Sequence, residues 1–239
     1  MKILAIDSSS LVASVAVITD DVMTAEYTVN YKKTHSQTLL PMIEEITKMT
    51  ELELDTVDAI AVSAGPGSFT GLRIGSATAK GLGLALDKPL IPVPTTAGMA
   101  YNFYGVSGDT VICPVMDARR GQVYTGLYMF DGDEFITIWE QEAVDITSLI
   151  ERLNGLGRRV IFTGDGLPVF CDIIRERCLV PYGFAPAHLN RQRAGAVGAL
   201  ALRLYRMGIV ETAAEHKPEY LRKSQAEREM AEKNEKLAD

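Results

Sequence analysis

Residues 59–86, AIAVSAGPGSFTGLRIGSATAKGLGLAL, decide how the rest of this sequence is read. A β-favouring apolar run, Ala59-Ile60-Ala61-Val62, meets the turn Gly65-Pro66-Gly67, and a long segment of small and apolar residues at helical spacing follows. That order predicts strand, tight turn, helix. Ser68 or Thr70 is placed to accept a hydrogen bond from an unpaired N–H of the first helical turn. The helix body is unusual: Gly71, Gly75, Ala79 and Gly83 fall four residues apart, and Ala77, Gly81 and Ala85 form a second such row. Each glycine costs about 1 kcal/mol relative to alanine in a helix interior, so some contact must offset them. Three arrangements would do so: close packing of the helix on its own sheet, a phosphate held on the N–H groups of the helix start, or docking of another helical protein on the glycine face. GPGSFTG lacks the Lys-Ser/Thr of a nucleotide-binding P-loop, which weakens the second.

Upstream, Lys2–Asp7 (KILAID) reads as a buried strand ending in a carboxylate, followed by the polar turn Ser8-Ser9-Ser10 and strands over 12–18 and 23–31. Thr34 caps an amphipathic helix to Met49, with Leu39, Leu40, Met42, Ile43 and Ile46 as its apolar stripe and Pro41 within it. Downstream, a fifth strand over 88–92 and a short helix over 95–103 complete βββαβαβα. The pattern then repeats: a meander of strands over 111–117, 122–130 and 135–139, a helix capped by Asp145 or Thr147, a strand over 159–163, the turn Gly164-Asp165-Gly166, a helix to Arg177, a strand near Leu179-Val180 and a helix over 194–207. This predicts an α/β protein of two-lobed, actin-like (ASKHA) architecture made of duplicated RNase H-like domains, residues 1–104 and 105–216. In the charged tail, 217–239, residues 218–222 read as an extended arm with a contact role for Tyr220, Leu221 and Arg222 as the lesser alternative. Ser224 onward reads as a solvated helix.

The net charge of −7 and pI near 5.1 argue against a chain that grips RNA alone, because phosphate contacts need clustered Lys and Arg. Cys113, Cys171 and Cys178 have no CxxC spacing, which fits a reducing cytoplasm; Cys171 and Cys178 are expected in the core. No signal peptide or membrane-spanning run is read. No Ser-His-Asp set, HExxH or paired zinc spacing stands out, and His35, His188 and His216 are scattered, with His35 read as a capping or packing residue. An actin-like ATPase would place phosphate turns after Asp7 and Asp117. Here Ser8 and Ser9 follow the first, and Ala118-Arg119-Arg120 follow the second, where glycines would be expected; only Gly164-Asp165-Gly166 looks like an adenosine turn. The nucleotide site reads as vestigial. An active ATPase or phosphotransferase using Asp7 and Asp117 with magnesium remains the alternative.

IDSSS, HSQTLLP, SAGPGSFTGLRIG, PVMDARRGQVY, TGDG and PEYLRKSQAE, in this order, resemble the TsaB (YeaZ) family from Lys2 to about Glu227. The resemblance implies a cytoplasmic, non-catalytic dimerisation subunit of the bacterial tRNA threonylcarbamoyladenosine machinery. It implies a main partner in the paralogue TsaD, which transfers the threonylcarbamoyl group from an adenylate made by a separate synthase. A TsaE-like ATPase and tRNA are reached only through the complex, homodimers can form on the same face, and ATP or ADP binds at most weakly or at the complex interface. His35 and Pro41 resemble a histidine and proline of TsaD. The two metal-binding histidines of TsaD fall on Thr95 and Met99, which cannot replace imidazoles, so no metal site is implied. The docking face implied by the resemblance is Leu39, Ile43, Ile46, Gly71, Ile74, Gly75, Thr78 and Leu82.

Overall fold

The computed structural model describes residues 1–106 and 108–222, so the expected helix from Ser224 onward lies outside the described residues. The first half runs β1 (Lys2–Asp7), β2 (Val12–Thr19), β3 (Val22–Asn30), α1 (His35–Met49), β4 (Ala59–Gly65), α2 (Phe69–Leu86), β5 (Leu90–Pro94) and α3 (Thr95–Tyr101). The second runs β6 (Thr110–Pro114), β7 (Met116–Arg119), β8 (Gln122–Asp131), β9 (Glu134–Asp145), α4 (Ile146–Leu156), β10 (Arg159–Thr163), α5 (Leu167–Arg177), β11 (Tyr182–Phe184) and α6 (Ala194–Arg206). The first sheet has the order β3-β2-β1-β4-β5, with β1 antiparallel to β2 and parallel to β4. The second has β11-β10-β6-β8-β7, with β9 paired on β8. The first half is βββαβαβα, the second repeats that order with its first strand divided into β6 and β7, and the two halves make one α/β, duplicated architecture.

Alternation along the strands sends side chains to both faces of each sheet, and both faces are covered. On one face of the first sheet, Leu4, Ile6, Val15, Val17, Ile60 and Val62 pack under α1 and α2. On the other, Ile3, Ala5, Ala16, Ile18 and Val93 meet Val197 and Leu200 of α6 and Ala97 of α3, in a core that also takes Ile112 and Phe130 of the second sheet. The chain's last helix thus lies on the first sheet. Its first free N–H groups are met there, that of Ala194 by Ser14 Oγ at 2.9 Å and that of Gly195 by Glu26 Oε1 at 2.9 Å. Val111, Cys113, Leu127, Val160 and Phe162 form the third core under α4 and α5.

Several local expectations shift. The strand expected over 111–117 breaks at Val115, whose N–H donates to Thr163 O and whose carbonyl accepts from Gly166 N. The strand expected at 88–92 starts at Leu90, because Asp87, in the left-handed region at φ 54°, and Lys88, bonded to Gly83 O, close α2 first. The last short strand is Tyr182–Phe184 and not Leu179-Val180; the ladder on β10 begins with Val160 N donating to Pro181 O. Cys113 is buried; Cys178, half-buried at the end of α5, packs against the third core, whereas Cys171, half-buried on α5, is not among its residues, which corrects that expectation. Among the described residues no helix is long and apolar enough to cross a membrane.

Candidate functional site

Two places in this fold bear on function: the glycine-rich helix pair α1–α2, and the cleft where the first-strand turns of the two lobes face each other.

Ser68 caps α2, accepting from Gly71 N at 3.3 Å, as its position before the helix predicts. The row of small residues Gly71, Gly75, Ala79 and Gly83 faces inward. A Cβ on Gly71 would overlap the Ser8 carbonyl oxygen, one on Gly75 the Ser8 hydroxyl, and one on Gly67 the Ser9 carbonyl oxygen. The helix therefore lies directly on the turn after β1, and Ser8 Oγ donates back to Gly71 O at 2.8 Å. This close packing is what offsets the glycines. It corrects five of the residues expected on the docking face: Leu39, Ile43 and Ile46 are buried in the first-lobe core, and Gly71 and Gly75 are covered by Ser8. Both faces of the helix are apolar, so sequence spacing alone could not separate inside from outside. Ile74, Thr78 and Leu82 are half-buried along the flank.

The outward row is Ala77, Gly81 and Ala85, all exposed, and a Cβ on Gly81 would meet open space. Leu84 on α2 is 67% exposed, Leu40 on the solvent side of α1 is 58% exposed, and Arg73 is exposed with its guanidinium 4.1 Å from the Phe69 ring centre. The fold itself leaves these small residues and leucines of α1 and α2 uncovered.

The cleft, about 790 Å³, is lined by Ser9, Ser10, Asp117, Asp165 and the start of α2 from the turns, by Lys33, Arg119 and Arg191, and by residues 219–222 of the arm. Asp7 is not among its lining; it is 1% exposed, with its carboxylate accepting from Ser9 N at 2.9 Å and Ser9 Oγ at 2.7 Å. Burial pushes the Asp7 carboxyl above the usual carboxylate range, against the lowering pull of Ser63, Ser9 and the His35 ring. Ser8 is turned inward onto α2. Gly164 and Gly166 do not open a pocket either: a Cβ on either would collide with Val115, because their turn packs on the break between β6 and β7. Of the expected nucleotide residues, Ser9, Asp117 and Asp165 alone line the cleft. Asp117 accepts from Arg119 N at 2.8 Å and pairs with its guanidinium at 3.1 Å. Of the two first-strand carboxylates, Asp117 lines the cleft and Asp7 is enclosed behind it.

Sequence reasoning missed the groups that join the lobes across the cleft. Gln192 is fully buried, accepting from Ser10 Oγ at 2.9 Å and donating to Asp165 Oδ1 at 3.2 Å, so it ties one first-strand turn to the other lobe's glycine turn. Burial raises the Asp165 carboxyl, and Gln192 partly opposes that rise. No local pattern marks a lone glutamine for such a role. His35, 9% exposed, supports the same region from behind, with its Nε2 and Ser10 O 2.7 Å apart, so its packing role is the one seen. Thr95 and Met99 are buried on α3, and among the described residues no three His, Cys, Asp or Glu side chains gather to hold a metal ion.

Two lobes of one duplicated RNase H-like unit, with first-strand turns facing across a cleft, define an α/β protein of the actin-like (ASKHA) class. The protein-family model described as "TsaD: tRNA N6-adenosine threonylcarbamoyltransferase" matches residues 23–230. The "tRNA threonylcarbamoyladenosine biosynthesis protein TsaB" of Bacillus subtilis is 35% identical over 176 residues, 74% of this chain and 76% of that one. The protein of the same description from Escherichia coli is 35% identical over 181 residues, 75% of this chain and 78% of that one. Among solved structures, "YeaZ from Pseudomonas aeruginosa" superposes with a TM-score of 0.76 at 27% identity, covering 92% of this chain and 99% of that chain. The chain belongs to the TsaB (YeaZ) family, the TsaD-related proteins of tRNA threonylcarbamoyladenosine biosynthesis.

Proposed function

We propose that this chain is a non-catalytic partner subunit that docks on a TsaD-type threonylcarbamoyltransferase and supports transfer of the threonylcarbamoyl group to the tRNA adenosine beside the anticodon. The observation that carries the reading is the exposed row Ala77-Gly81-Ala85 of α2, with the exposed Leu84 on the same helix and the exposed Leu40 on α1. Small residues four apart let a second helix approach closely, and exposed leucines beside them supply apolar area that a partner would remove from water. A TsaE-like ATPase and tRNA would join through the transferase, since the acidic chain lacks the charge to hold RNA alone. The same surface would serve a homodimer when the partner is absent. In this reading the protein acts in the cytoplasm, with no metal and no nucleotide chemistry of its own.

The test is co-purification and size-exclusion chromatography with the TsaD of the same organism, comparing the native chain with Gly81→Trp and Leu40→Glu. Both positions are open to solvent, so both variants are expected to fold with an unchanged thermal transition and to lose the complex. A complex that survives both substitutions removes this face from the proposal. A native chain that forms no complex, even with the TsaE-like ATPase and nucleotide added, removes the subunit reading.

A further inference from the structure

The turn Ser8-Ser9-Ser10 reaches both helices that carry the proposed docking residues. Ser8 seats the body of α2: its hydroxyl donates to Gly71 O at 2.8 Å and stands where a Cβ on Gly75 would lie. Ser9 holds the start of α2, its carbonyl oxygen accepting from Ser68 N at 2.6 Å. Ser10 holds the start of α1 through His35. The ring Nε2 and the Ser10 carbonyl oxygen are 2.7 Å apart, and because a carbonyl only accepts, the ring donates. His35 also stands against α2, since a Cβ on Gly71 would lie 3.2 Å from its Cδ2. The Ser10 hydroxyl donates to Gln192, so the turn is itself held from the second lobe.

The start of α1 is poorly supported by its own sequence. Its N-cap Thr34 makes no side-chain cap bond, its first turn has no acidic residue, and Pro41, with no N–H, takes the helical donor away from the Gln37 carbonyl. Beneath the helix, Leu39, Met42, Ile43 and Ile46 are buried in the first-lobe core. Apolar burial is non-directional, whereas a hydrogen bond fixes one atom against another. Leu40 lies on α1, and Ala77, Gly81 and Leu84 lie on α2, so a partner that meets both helices needs them in one fixed relation. We propose that His35 is a positioning residue for docking: by tying the first residue of α1 to the turn that already seats α2, it sets the two helices in the relation that the partner recognises. The inference rests on the docking reading above and adds to it a buried residue outside the exposed surface.

The experiment compares the native full chain with His35→Leu, which removes the donor, and His35→Gln, whose amide nitrogen stands near the place of Nε2. The Kd for the TsaD of the same organism is measured by titration calorimetry, and hydrogen exchange of the α1 amides is followed without the partner. Helices correctly set about a tenth of the time bind with about a tenth of the intrinsic affinity, so His35→Leu is expected to bind about tenfold more weakly. Its Leu39 and Leu40 amides should exchange faster than in the native chain, and His35→Gln should stay close to native in both measurements. A purely structural role would lower the thermal transition of His35→Leu and leave the Kd of the folded protein unchanged; that result overturns the proposal. A native chain that forms no complex overturns the docking reading, whereas native-like exchange at the start of α1 in His35→Leu overturns this one whether or not a partner binds. If His35→Leu lacks a cooperative thermal transition, His35→Asn, whose amide stops at the place of Nδ1, takes its place with the same expected loss.

Discussion

The two lobes carry matching glycine turns after the strand that follows the first helix of each, β4 and β10, and use them differently. Gly65-Pro66-Gly67 and Gly164-Asp165-Gly166 begin with glycines of nearly equal φ, 123° and 124°, values that L side chains rarely adopt. In the second lobe both glycines press on Val115 of their own sheet. In the first lobe Gly67 presses on Ser9, while Gly65 makes room for the arm arriving from the far end of the sequence. The first-strand carboxylates diverge as well. Asp7 is enclosed by the serines that follow it; Asp117, followed by Ala-Arg-Arg, stays at the cleft and pairs with Arg119. The backbone geometry of the duplicated unit persists where close approach demands it, whereas the side chains it carries differ between the lobes. A shared backbone does not carry shared chemistry.

The largest expected effect breaks the first lobe. Gly71→Val forces a branched side chain into the Ser8 carbonyl, which is backbone and cannot rotate away, so urea denaturation should show a loss on the order of 4 kcal/mol or no folded protein. Next come the two matched glycines. Gly164→Ala meets both an unfavourable φ and the Val115 backbone in a buried turn, with an expected cost of about 3 kcal/mol. Gly65→Ala meets the same φ but collides with the Glu219 carbonyl oxygen, in an arm whose residues 219–222 lie outside the three apolar cores, so its cost in denaturation should be smaller, by about 1 kcal/mol or more. An equal cost would show that the arm is as firmly held as the sheet.

The bridge between the lobes is the third test. Gln192→Leu leaves Ser10 and Asp165 without their shared partner in a buried site and should cost about 1–3 kcal/mol in the same measurement. The smallest effect runs the other way: Gly81→Ala, on the outward row with open space before it, should stabilise the chain by up to about 1 kcal/mol through helix propensity alone. Measured beside Gly71→Val, it separates the two small-residue rows of one helix.

Asp7 sets a pH dependence with a definite sign. Its folded-state carboxyl is raised by burial above its unfolded value, so the native state holds the proton more tightly than the unfolded chain does. Stability from this group is present below the unfolded value of about 4 and is lost as pH rises through the folded value. Asp165 has the same sign, also from burial. Denaturation across pH 3–8, roughly the range in which carboxylates titrate, should show Asp7→Asn gaining stability relative to the native chain as pH rises. A variant curve parallel to the native one would mean that burial does not raise the Asp7 carboxyl.

Much of this protein could be read locally. KILAID, the serine turn, the GPG turn and the helical run after it are short-range patterns, and they set the strand–turn–helix order of the first lobe and its repetition in the second. The family motifs carried the rest of the identification. What local pattern could not decide was which row of α2 faces in, because both rows are small and apolar. That choice is made by Ser8, 63 residues from Gly71: its carbonyl oxygen leaves no room for a Cβ there, and its hydroxyl donates to the Gly71 carbonyl oxygen. Nor could it place α6 on the first sheet, seat Gln192 between two turns, or carry Tyr220 onto Phe69. Each depends on close approach between segments far apart in the chain, and such contacts leave no periodic trace in the sequence. Periodicity along the chain determined the elements; packing between distant backbones decided which faces are left for a partner and what closes the cleft.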